Sequence, residues 1–420
     1  MGFQQGLSGL NAASKNLDVI GHNIANSNTT GFKASRADFA EMVASAIGSA
    51  SGQSSGIGVN VAAVSQQFKQ GSITSTGNSL DIAINGNGFF VVQQSDGSIA
   101  YTRAGNFGLD KAGNLKTVDN DNVMGYVVDP TTGKIQSGAT PVPLSFPTGQ
   151  PIPAKQTTSV NVELNLDARA TAAAGDPAAT PPVAATPRAT YGTSLNVYDT
   201  QGTAIPVNLY FEKSATGNTW DIYNSLDSTA TPIGTATFDA SGKLTSISPS
   251  TTPGGTSLTL SVSGGTANPN GLPPFNVEMD FGGLTQFGTK FAVSSLKQDG
   301  YTSGALTGIN VGKDGSIVAS YSNGVTRTEG QLALAAFTNT QGLGSVGNNK
   351  WVQTADSGPA LNGSAQTGTF GSLQSGALEE SNVDLTAELV NMMTAQRSYQ
   401  ANAQTIKTQD QVFSTLVNLR

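Results

Sequence analysis

DLTAELVNMMTAQRSYQANAQTIKTQDQVFSTLVNLR, residues 384–420, decides the architecture of this chain. Leu385, Leu389, Met392, Gln396, Tyr399, Ala403, Ile406, Asp410, Phe413 and Val417 step by alternate fours and threes, a heptad seam interrupted only by Gln396 and Asp410. No Gly or Pro lies inside it. Asp384 is placed to cap its start, Glu388 puts an anion in the first turn, and Arg420 puts a cation at the far end, as the helix dipole favours. The reading is one helix of roughly 50 Å, at about 1.5 Å per residue. Its apolar stripe is narrow, so it needs a partner helix rather than a globular core.

The other end of the chain supplies a candidate. Phe3, Leu7, Leu10, Ser14, Leu17, Gly21 and Ile24 keep the same rhythm, and Ala13 and Ile20 widen the stripe. They predict a shorter helix of roughly 33 Å. Part of the longer seam is then left uncovered within one molecule. A Leu-sized side chain left in water forfeits roughly 1.5–3 kcal/mol. The expected assembly surface is therefore Leu7, Leu10, Leu17, Ile24, Leu385, Leu389, Met392, Tyr399, Ile406, Phe413 and Val417, covered by other copies of the chain. A plain antiparallel hairpin or a dimeric stalk is the alternative. Each helix buries little alone, so both are expected to be unstructured before assembly.

Between the two ends the composition is β-like. In 420 residues, 37% are hydrophobic, only 12% are charged and 50 are Gly, with a net charge of −7. That length predicts two to four domains, and so few charges argue against a disordered chain. The acidic balance and the lack of a basic cluster argue against a nucleic-acid surface. The absence of Cys excludes a disulfide scaffold, a zinc-thiolate site and a cysteine nucleophile. The N-terminus lacks the pattern of a signal peptide, and no run of 18 apolar residues is present, so no membrane insertion is expected.

Along the chain, Asn26–Gly31 reads as a helix stop, 32–47 as a short amphipathic segment, and 48–58 as a Gly/Ser-rich linker. The weak alternation after Gly58 fits a strand. From Gly71, Leu80–Ile84, Phe89–Val92 and Ile99–Thr102 read as strands, with hairpin turns at Asn85–Gly88 and Asp96–Gly97. The glycines at 85–88 are not followed by a helix, so they do not read as a phosphate cradle. Pro141 to Pro153 marks a boundary, and alternating segments from Val160 onward predict an inserted all-β domain. The strand pattern of the earlier domain resumes afterwards.

Nothing in the sequence points to catalysis. His22 is the single histidine and reads as a polar helix-surface residue. Glu278, Asp280 and Glu329 have no motif around them, and Glu379–Glu380 reads as a solvated charge pair. No cofactor, metal or enzymatic activity is expected.

Specific residues carry a resemblance. Ser8–Ala13, Asn16–Asn26 and Thr30-Gly-Phe-Lys33 are similar to the N-terminal signature of the bacterial flagellar rod and hook proteins. Ser381–Leu385, Ala395–Arg397, Tyr399–Gln400 and Gln404–Gln409 resemble the matching C-terminal signature. Gly77–Ile84, Gly88-Phe-Phe90 and Tyr101–Phe107 resemble the first β-domain of that family. Rod proteins lack a large insertion, so the inserted domain points to the hook branch; a distal rod subunit is the second choice, and the hook–filament junction proteins fit less well.

The expected fold is mainly β with α-helical termini, the N- and C-terminal helices forming a coiled-coil domain, plus two nested β-rich domains. The expected boundaries are 1–30 and 371–420 for the helical domain, 31–70 for a linker, 71–146 and 286–370 for the middle domain, and 147–285 for the outer domain. The resemblance implies a structural subunit that polymerises into a curved hollow tube, a flexible joint carrying motor torque to the filament. It also implies contacts with the distal rod, hook cap and hook–filament junction proteins. Export would run through the flagellar type III apparatus to an extracellular hook, without a cleaved signal peptide. The competing class is a secreted β-rich adhesion module on a helical stalk.

Overall fold

The computed structural model describes all residues except 1, 44–55, 130–134, 136–137, 147–148, 173, 177–182, 187, 216, 228–229, 263–272 and 419–420. The chain is mainly β with a helix at each end: α1, Gly2–Ala25, and α2, Leu385–Asn418. α1 stops where the N–H groups of Asn26 and Ser27 turn back onto the carbonyls of His22 and Ile24. Gly31 then takes a φ of 71° beside the body of the protein. A Cβ there would stand 2.5 Å from the backbone nitrogen of Ala104, so the close approach and the left-handed backbone both require glycine. α2 starts on Asp384, whose Oδ1 accepts from the N–H groups of Thr386 at 2.9 Å and Ala387 at 3.1 Å. Arg420 and residues 48–55 of the expected linker lie outside the described residues. Among the described residues, no helix is long and apolar enough to cross a membrane.

The chain divides into two compact units. The first comprises Met1–Gly149, Thr307–Ser320 and Thr326–Arg420. Within it, Ser35–Val43 pairs antiparallel with Gly56–Gln66. The segment 31–70, expected as a linker, is therefore built around a β-hairpin. The β-branched residues Val59, Val61 and Val64 supply the partner strand, and register shifts at Asp38/Phe39 and Met42/Val43 break the alternation that would have revealed the first strand.

The two halves of this unit share sheets. Ile73–Ser75 pairs with Ala377–Glu379, and Ile82–Asn85 with Ser372–Ser375. Residues 371–384, expected in the helical domain, thus include two strands of the β body, and the helix begins only after the Asp384 cap. The expected hairpin at Asn85–Gly88 is corrected too. Ile82–Asn85 pairs with Ser372–Ser375, whereas Phe89–Gln93 pairs with Ile99–Thr102 across the Asp96–Gly97 turn. Gly97 has a φ of 88°, and the Ser98 N–H donates to Asp96 Oδ1 at 2.9 Å. One core of this unit gathers Phe89, Val91, Tyr101, Met124, Tyr126, Ala333, Ala335 and Trp351. Phe68, Phe89 and Trp351 meet edge to face within it.

The second unit, Gln150–Leu306 with Tyr321–Val325, contains two five-stranded sheets. One is an antiparallel meander from Gly192–Tyr198 to Leu244–Ser248. The other is organised by Ser159–Asp167, which runs parallel to Phe275–Asp280 and Thr285–Phe287 and antiparallel to Ala292–Gln298. Alternate residues Val160, Val162, Leu164 and Leu166 enter a core with Phe211, Trp220, Ile222 and Phe281. The expected boundary at 285 falls too early. Ser159–Asp167 needs both Thr285–Phe287 and Ala292–Gln298 to complete its ladder, so the chain returns to the first unit only at Thr307.

Candidate assembly surface

α1 and α2 pack antiparallel. Gly6 lies against Ile406 and Gly9 against Asn402, while at the opposite end Asn23 Nδ2 donates to Glu388 Oε1 at 3.2 Å. Small residues allow this approach. A Cβ at Gly6 would stand 3.1 Å from Ile406 Cγ1, and one at Gly9 would stand 2.8 Å from Asn402 Oδ1. Ala12, Ala13, Ile20 and Asn23 continue the buried part of α1. The β-hairpin packs on the same helix: Ser8 Oγ accepts from the Val59 N–H at 3.3 Å, and Asn23 exchanges two 2.8 Å hydrogen bonds with the backbone of Ser35. The helices are thus paired with each other, so the expectation that each is unstructured because it buries little alone does not describe this arrangement.

The expected seam is divided by the pairing. Leu10, Leu17, Ile24, Met392 and Ile406 are half-buried. Leu7, Leu385, Leu389, Tyr399 and Phe413 remain exposed, Leu389 by 47% and Phe413 by 57%. Met393, one turn beyond Leu389, is 54% exposed and extends the row Leu385–Leu389. Val417 belongs to α2, but its side chain lies outside the described residues. Phe413 lies about two turns beyond Ile406, whereas α1 has about one turn left beyond Gly6. Sequence reasoning missed Gly6, Gly9, Asn23, Ala395 and Asn402 as packing residues. The available signal was the spacing of small residues, Gly6, Gly9 and Ala13, on one side of α1.

A charged cluster sits where the helices meet the β body. Lys33 Nζ donates to Glu379 Oε1 at 2.6 Å, and Arg103 Nη1 donates to Oε2 at 3.0 Å. The side chains of Lys33 and Glu379 are fully enclosed. Burial draws the Lys33 ammonium and the Arg103 guanidinium below their ordinary pKa values, opposed in both by Glu379. The expected solvated pair Glu379–Glu380 is therefore wrong for Glu379, which is enclosed and paired with two cations inside the body; Glu380 is exposed. His22 is exposed at the end of α1, edge to face with Phe32 at 5.5 Å. Among the described residues, no group of His, Asp or Glu is arranged to hold a metal ion.

Family models match along the chain in order. They are the flagella basal body rod protein at 3–33, the flagellar hook protein FlgE/F/G D1 domain at 83–165, the flagellar basal body protein FlaE D2 domain at 165–301, and the flagellar basal body rod FlgEFG protein C-terminal region at 374–419. The chain is 42% identical to flagellar hook protein FlgE of Escherichia coli K12, over 100% of both chains. It is 42% identical to that of Salmonella typhimurium LT2, again over 100% of both. It is 33% identical to that of Treponema pallidum, over 99% of this chain and 98% of the relative. The crystal structure of Helicobacter pylori flagellar hook protein FlgE2 shares the fold, with a TM-score of 0.51 at 15% identity over 72% of this chain and 99% of that one. Full-length identity at this level, with hook and rod models matched from one helix to the other, establishes that the chain belongs to the flagellar hook protein FlgE family.

Proposed function

We propose that this hook subunit polymerises through the exposed row of α2. The observation that carries the reading is the exposure of Leu385, Leu389 and Met393 on a helix that already packs along α1. Each such side chain is already about half covered, so a neighbour that buries the rest gains roughly half of the 1.5–3 kcal/mol of full burial, and a helix from a neighbouring copy is favoured over water. Copies joined by heterologous contacts that do not close build a helical tube. In this reading the terminal helices form coiled-coil contacts between subunits inside the tube, and the β-rich units pack outside. The tube is curved and hollow, and it passes motor torque to the filament as a flexible joint. Its ends meet the distal rod, hook cap and hook–filament junction proteins. Export through the flagellar type III apparatus delivers it outside the cell.

The test separates assembly from folding. Leu389→Asp with Met393→Asp changes only exposed positions of α2. The variant is expected to keep the far-ultraviolet spectrum and melting curve of the parent while forming no tubes in electron micrographs. Tubes of normal length and number from this variant would reject α2 as the polymerising surface. Ile406→Asp is unsuited to this purpose, since Ile406 packs on Gly6 within the subunit.

A further inference from the structure

Three passages of the chain, 31–33, 71 and 103, converge on one residue, Glu379. Besides Lys33 and Arg103, Glu379 Oε1 accepts from the Gly71 N–H at 3.0 Å, and the Glu379 carbonyl accepts from the Gly31 N–H at 2.8 Å. The cations are tied further. Lys33 Nζ donates to the Lys69 carbonyl at 2.9 Å, and Arg103 Nη2 to the Gly86 carbonyl at 2.8 Å. Asn382 works beside them: its Oδ1 accepts from the Ala34 N–H at 2.7 Å, and its Nδ2 donates to the carbonyls of Gln67 at 2.7 Å and Lys69 at 3.0 Å. The segments leaving α1 and entering α2 are therefore stapled to each other and to the body at a single place.

Stability alone is a poor explanation for this chemistry. Enclosing charges costs several kcal/mol per ion, and well-packed apolar residues of similar volume often do as well or better. Charge-assisted hydrogen bonds differ from apolar packing in being directional. An apolar contact tolerates sliding; an enclosed carboxylate held by two cations and a backbone N–H loses its partners when either side shifts. We propose that Glu379, with Lys33 and Arg103, is the lock that fixes the angle of the helix pair on the first β unit, so that force on the helices reaches the body without slack. These are positioning residues. The inference rests on the tube reading above and adds which residues carry the load within a subunit.

The test uses the full chain with Glu379→Gln and, as the milder change, Lys33→Met, which keeps the Arg103–Glu379 pair. In the monomer, amide exchange at Gly31 and Gly71 is expected to accelerate about tenfold or more in Glu379→Gln, a ratio equivalent to about 1.4 kcal/mol. In Lys33→Met, exchange at Gly31 is expected to rise while strands of the second unit keep their protection. Tubes grown from Lys33→Met are expected to keep the parent helical repeat but to lose stiffness, seen as wider fluctuation of curvature along isolated tubes. Unchanged exchange at Gly31 in both variants, or Lys33→Met tubes as stiff as the parent, would overturn the lock. Should Glu379→Gln fail to fold, Lys33→Met decides. Absence of tubes from the parent chain would count against the assembly reading, while the exchange measurement on the monomer still tests the lock.

Discussion

Gly9 and Asn402 occupy the same space between the two terminal helices: a Cβ at Gly9 would stand 2.8 Å from Asn402 Oδ1 and 2.9 Å from Nδ2. The glycine costs about 1 kcal/mol of helix propensity relative to alanine, so its presence is explained by packing. Gly9→Val is expected to force the helices apart at a cost of about 1–3 kcal/mol, the range for overpacked contacts. Adding Asn402→Ala should recover part of that loss by vacating the contested space. Urea denaturation followed by the helical far-ultraviolet signal measures both. A Gly9→Val chain as stable as the parent would mean that the helices do not touch there.

The antiparallel register can be tested chemically, because the chain has no cysteine of its own. Gly9→Cys with Asn402→Cys is expected to form a disulfide within one monomer under mild oxidation. Gly9→Cys with Leu385→Cys is not, since the opposite end of α2 meets Asn23. Non-reducing electrophoresis of dilute protein distinguishes the two. Cross-linking mainly as dimers would assign the helix pairing to neighbouring copies instead.

What could be read from the sequence was whatever had a short period. The α2 seam repeats within seven residues, so Leu385, Leu389 and Phe413 were visible as an apolar edge. Glu379 was not, because Lys33 and Arg103 lie 346 and 276 positions away in sequence, and an acidic residue beside Glu380 has no local sign of enclosure. The first strand of the hairpin was hidden by the two register shifts around Phe39 and Met42. Ala292–Gln298 escaped notice for a related reason: it is a largely exposed strand whose residues do not alternate cleanly in burial, so only its ladder with Ser159–Asp167 identifies it. Gly6 and Gly9 lie outside the apolar positions of the α1 seam and carry no side chain to mark them, yet α2 approaches closely at both.

A second enclosed charge cluster makes the first unit sensitive to the loss of one partner. Lys350 Nζ pairs with Asp119 at 2.8 Å and with Asp121, and the Lys350 and Asp121 side chains are nearly enclosed. Burial opposes the Lys350 charge, but the two carboxylates outweigh it and hold its pKa above the ordinary lysine value. Lys350→Met leaves both acids without their cation. The expected loss is about 3–5 kcal/mol, as for other broken buried pairs. Trp351 is adjacent and buried, so its fluorescence should report the unfolding of this unit. A change below about 1 kcal/mol, the usual yield of a surface pair, would place Lys350 in solvent.

Asp299 gives the second unit a pH dependence of known sign. Burial raises its carboxyl pKa, but this is outweighed by the Ser159 N–H at 3.0 Å, the Thr158 hydroxyl at 2.7 Å and N–H at 2.8 Å, and Lys155 Nζ at 3.0 Å. The net effect holds the folded pKa well below the unfolded value of about 3.9. The folded state therefore binds the proton less readily than the unfolded chain does. Its contribution to stability is complete above about pH 4 and falls away as the pH drops through the folded pKa. Asp299→Asn should lower the melting temperature of the second unit at neutral pH and flatten its decline in acid. In a Trp351→Phe background, Trp220 in the second-unit core is the remaining tryptophan and serves as the probe. Parallel acid profiles for Asp299→Asn and its parent would show that other carboxylates, not this one, set the acid limit of the unit.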